Sequence, residues 1–82
     1  MNTTPLRTYF YGLSPNERGD FALRCGTSPE YIIQIINKNR NCSAPLAINI
    51  DRESGGEVSC DELCPSADFA YLRSSKQLTT IV

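Results

Sequence analysis

Residues 18–37, RGDFALRCGTSPEYIIQIIN, read as two short helices joined at a sharp bend. A small residue on the first helix lets the second cross close to it. A glycine in the turn can take a left-handed conformation, and a branched apolar residue on the second helix fills the angle. Ala22, Gly26 and Ile32 occupy these places, four and then six residues apart. That spacing puts Ala22 and Ile32 on the inner faces of helices crossing at roughly a right angle, as in helix-turn-helix units that bind DNA.

Working outward, a first helix is expected from Thr4 to Tyr11: Thr4 can cap, Pro5 suits the first helical position, and Gly12 can close the end. Ser14-Pro15-Asn16-Glu17 has the form of a capping box and starts the second helix, with Phe21, Ala22 and Cys25 inward and Arg18 and Arg24 in solvent. After Gly26, Ser28 caps and Pro29 opens a third helix that should reach about Lys38, with Ile32, Ile35 and Ile36 inward. Ser43 can cap a fourth helix whose apolar face is Leu46, Ala47 and Ile50, stopped by Gly55 and Gly56. Val58 should enter the core, and Ser59-Cys60-Asp61-Glu62 reads as another capping box, with Leu63 as anchor and Pro65 as terminator. Residues 68–72 could form one more turn, and 74–82 a frayed or β-type tail. The reading is a helix-turn-helix domain over 1–66 and a C-terminal extension over 67–82, flexible or dimer-forming.

Eighty-two residues supply one modest core and no large enzymatic cleft. The chain has no His, so the usual base near neutral pH is missing, and a non-enzyme is expected. No signal peptide or membrane span is visible, which implies a cytoplasmic protein whose four cysteines are reduced thiols. Only Cys60 and Cys64 have the close spacing of zinc ligands, and Cys25 falls on an apolar stripe. No metal or cofactor is therefore expected, with a regulatory thiol at Cys42 or Cys60 a minor alternative.

Net charge is −1, against the basic balance usual in nucleic-acid binders. The charge is unevenly spread, however. Residues 1–42 carry Arg7, Arg18, Arg24, Lys38 and Arg40 against Glu17, Asp20 and Glu30, while residues 43–82 carry three basic and six acidic groups. The basic part contains the bend.

The order SPNERGDFALRCGTSPEYIIQI, a polar loop, APLAINIDRESGGEV and DELCP resembles the Cro/CI-like helix-turn-helix regulators of bacteria and prophages, particularly the YdaS-type antitoxin group. The resemblance covers roughly residues 4–66. It implies an all-α, compact five-helix, lambda-repressor-like domain and a role in transcription control in a phage, prophage or toxin–antitoxin setting.

On the third helix Gln34 is the leading base reader, since a free amide can pair with adenine N6 and N7 in the major groove. The bland alternative is an ordinary exposed glutamine. Glu30 could accept from cytosine N4, and Ile33 could touch a thymine methyl or serve a protein partner instead. Ser28 and Asn37 can bond phosphate, and Arg18, Lys38 and Arg40 can supply the salt-dependent backbone contacts, though each could equally be solvated surface. The implied partner is a double-stranded DNA operator bound by a homodimer, because one short helix reads only a few base pairs. Two rivals stand beside this repressor reading: an interaction module of the same fold without DNA binding, and an antitoxin that binds its toxin.

Overall fold

The computed structural model describes residues 1–67, and within them the chain is all-helical. Five helices follow one another: α1 (Thr4–Tyr11), α2 (Pro15–Arg24), α3 (Pro29–Ile36), α4 (Ala44–Glu53) and α5 (Cys60–Leu63). The expectations for 68–72 and 74–82, and nearly all of the 67–82 extension, lie outside the described residues.

The helix starts follow from local chemistry. Ser14 Oγ accepts from the Glu17 N–H at 3.3 Å, and Glu17 Oε1 accepts from the Ser14 N–H at 2.9 Å, which completes the expected capping box. These bonds, the backbone one foremost, hold the Glu17 carboxyl below its ordinary pKa. Ser28 caps α3 through the Tyr31 N–H, and Ser43 caps α4 through the Leu46 N–H.

Three local details differ from the sequence reading. Thr4 is the first residue of α1 rather than its cap; the Asn2 carboxamide oxygen accepts from the Thr4 N–H, and the Thr3 hydroxyl is buried and donates to the Ile36 carbonyl at 3.0 Å. That long-range bond ties α1 to the end of α3. The third helix stops at Ile36, two residues before the expected Lys38, because Lys38 takes a left-handed φ of 64°. The Asn39 N–H then closes back on the Gln34 carbonyl at 2.8 Å, in the 6→1 pattern of a helix-ending turn. Finally, Ser59 caps α5 through the Asp61 N–H, one residue short of a capping box.

The core collects the inner stripe of every helix: Leu6 and Phe10, Phe21, Ala22 and Cys25, Ile32, Ile35 and Ile36, Ala47 and Ile50, then Val58, Cys60 and Leu63. Tyr9 lies against Phe21 with ring centroids 5.1 Å apart, stitching α1 to α2. Leu46, expected on the inner face, is only half-buried. Buried Ser54 holds the turn after α4: its hydroxyl donates to the Asp51 carbonyl and accepts from the Val58 N–H, both at 3.1 Å. No helix among the described residues is long and apolar enough to cross a membrane.

Candidate nucleic-acid interface

The bend is built as its sequence requires. Gly26 sits at φ +81°, a conformation that costs most other residues about 1–2 kcal/mol. This turn lets the Thr27 N–H reach the Ala22 carbonyl at 2.9 Å and the Gly26 N–H reach that of Leu23 at 3.0 Å. Ala22 and Ile32 are both fully buried on either side of the bend. From α4, Asn49 Nδ2 donates to the Cys25 carbonyl at 3.0 Å, so the helix behind the bend fixes its geometry. Asn49 was not visible as a support in the sequence, because a polar residue inside a helix carries no mark of a partner 24 positions away.

With α3 docked through Ile32, Ile35 and Ile36, its opposite face is set by helical geometry. Glu30, Ile33, Gln34 and Asn37 are spaced i, i+3, i+4 and i+7 and so share one stripe. Glu30 and Asn37 are exposed, while Gln34 is half-buried. Ile33, expected to be exposed, is half-buried against the core, because the stripe's edge borders the inner face. Tyr31, at the other edge, is the more exposed large side chain. Ser28 remains half-buried at the head of the stripe, its hydroxyl engaged in the cap.

The cations fall into distinct settings. Arg18, expected in solvent, is half-buried, with Nε donating to the Phe10 carbonyl at 3.2 Å and Nη2 to that of Tyr11 at 3.1 Å. Its guanidinium also lies 5.3 Å from the Tyr11 ring centroid. It satisfies open carbonyls at the C-terminus of α1, where a positive charge also meets the negative end of the helix dipole. Arg24 pairs with Glu53 at 3.1 Å across α2 and α4, a half-exposed ion pair of modest value. Lys38 and Arg40 are exposed just past α3, and Arg40 Nε donates to Gln34 Oε1 at 3.0 Å. Six residues of the expected set, Glu30, Ile33, Gln34, Asn37, Lys38 and Arg40, thus lie on or beside one face, with Ser28 at its head. Arg18 is anchored at the α1–α2 corner.

All four cysteines are free, and among the described residues no cluster of three or more His, Cys, Asp or Glu side chains comes together to hold a metal. Burial, followed by the Glu53 charge, pushes the Cys25 thiol up to about 11. Burial, with Cys64 and Cys25 nearby, pushes Cys42 up to about 12. The thiolate is the reactive form, so native protein at neutral pH should be labelled first at half-buried Cys64, with Cys25 and Cys42 reacting only after unfolding. Peptide mapping after brief treatment with a disulfide reagent checks this; rapid native labelling of Cys42 would contradict its enclosure.

Compared with known proteins, the chain is 42% identical over 50 residues to an Escherichia coli (strain K12) protein named "Putative transcriptional regulator YdaS". The match spans 61% of this chain and 51% of that relative, so the chain accounts for about half of the relative's length. No protein-family profile and no solved structure matches the chain.

Proposed function

We propose that this protein is a sequence-specific DNA-binding regulator, acting as a repressor or autoregulator that occupies an operator and blocks promoter access. The observation that carries this reading is the docked α3. Its apolar face is buried against the core, and opposite it lies the stripe of exposed Glu30 and Asn37 and half-buried Gln34, with Ile33 at its inner edge, beside Lys38 and Arg40. A helix held in this way can lie in the major groove with several side chains within reach of base edges. Its likeness to a protein named as a transcriptional regulator supports the same conclusion and suggests a non-enzyme.

In this arrangement Gln34 is the central base reader, with Glu30 and Ile33 beside it. Ser28 and Asn37 flank the groove, and Lys38 and the remaining donors of Arg18 meet phosphates. Operator specificity comes from a homodimer on two half-sites about one helical turn apart. Selection from randomised duplex DNA tests this: enrichment should converge on a short, two-fold-related motif. Failure of any motif to emerge would remove the sequence-specific reading.

The second reading is a protein-interaction role, including toxin capture. It is favoured by Leu23, 76% exposed on α2, and by exposed Ile48 on α4, two large apolar side chains outside the core. The same surfaces suit a dimer contact, so this role is compatible with DNA binding.

A further inference from the structure

Gln34 and Arg40 are six residues apart, and the end of α3 brings them together. Left-handed Lys38 turns the chain back, the Asn39 N–H bonds the Gln34 carbonyl, and Arg40 Nε then reaches Gln34 Oε1 at 3.0 Å. This contact changes what the glutamine can recognise. An amide free at both ends offers one donor and one acceptor edge, the complement of adenine N7 and N6. Here the guanidinium takes one of the two acceptor sites of Gln34 Oε1 and sets its own charge and remaining N–H donors beside the amide, so the pair carries more donors than a free glutamine.

We propose that Gln34 and Arg40 form a single donor-rich reader that selects guanine at one position of each operator half-site. The proposal rests on the DNA-binding reading above. Guanine presents two acceptors in the major groove, N7 and O6, which match one donor from each side chain. Adenine would set its N6 amino group against the Arg40 donors and make it share Gln34 Oε1 with the guanidinium, an arrangement that costs binding energy in a desolvated interface. Arg40 thereby becomes a determinant of specificity instead of a general phosphate contact.

The test is binding-site selection with the parent protein, Gln34→Ala and Arg40→Ala, each first checked for a parent-like melt. The parent should prefer guanine over adenine at one half-site position by at least about tenfold, the equivalent of one good base contact. Gln34→Ala should lose that preference. Arg40→Ala should move the same position toward adenine, because Gln34 Oε1 is released. A parent that selects adenine there, or an Arg40→Ala variant that weakens all sequences alike with the guanine preference intact, overturns the paired reader while leaving the regulator reading in place. Failure of the parent to bind any duplex overturns both.

Discussion

Phe21→Ala is expected to lower the free energy of unfolding by about 3–5 kcal/mol, the usual cost of removing a buried aromatic ring and leaving a cavity. Phe21 is fully buried on α2 and lies against Tyr9 of α1, so its loss opens the seam between these helices. A domain of this size has roughly 4–12 kcal/mol in total, and the variant should be partly unfolded near physiological temperature. Leu23, two positions along the same helix, is the internal control. It is 76% exposed, and Leu23→Ala should stay within about 0.5 kcal/mol of the parent. Urea melts of both variants check the pair. Equal stabilities would mean that the inner face of α2 has been assigned wrongly.

The second large effect is expected at Ala22. The site is fully buried where α2 turns into the bend, and the Ala22 carbonyl accepts the Thr27 N–H that closes the turn. Ala22→Leu adds volume where the helices have no room to accept it, so it should cost about 1–3 kcal/mol. Any relief by separation of α2 and α3 also re-aims the Glu30–Asn37 face. The variant should therefore lose more operator affinity than its residual folded fraction explains. A variant that melts and binds like the parent would show that Ala22 does not set the approach of the two helices.

Much of this architecture was legible in the sequence because it is written in local chemistry. Ser14 with Glu17, Ser28 with Pro29, and Ser43 each mark a helix start through a bond to a backbone N–H three residues away. Gly26 marks the bend because its φ is one that few other residues adopt at low cost. The inward stripes of α2 and α3 follow from helical period alone. What escaped the sequence depends on contacts between distant positions or on an unusual backbone choice. Arg18 looked like a solvated charge because nothing in its neighbourhood reveals the carbonyls of Phe10 and Tyr11. Thr3 bonds Ile36 across 33 positions, and Asn49 bonds Cys25 across 24. The early end of α3 depends on a lysine adopting a left-handed conformation, for which residue type gives no warning. The same turn hid the Gln34–Arg40 contact.

The central claim, that the face of α3 meets DNA, is tested most directly by a salt titration of binding to random-sequence duplex followed by fluorescence anisotropy. In the proposed dimer, two protomers that each neutralise about two phosphates, through Lys38 and the remaining donors of Arg18, would give a slope of log affinity against log salt of about −3.6. This amounts to a loss on the order of a hundredfold between about 50 and 200 mM. Lys38→Ala should flatten that slope by roughly one to two units in the dimer. Measurable binding with this steep dependence is the predicted result; no binding at the lowest salt, or an affinity that does not change across the range, would contradict the account.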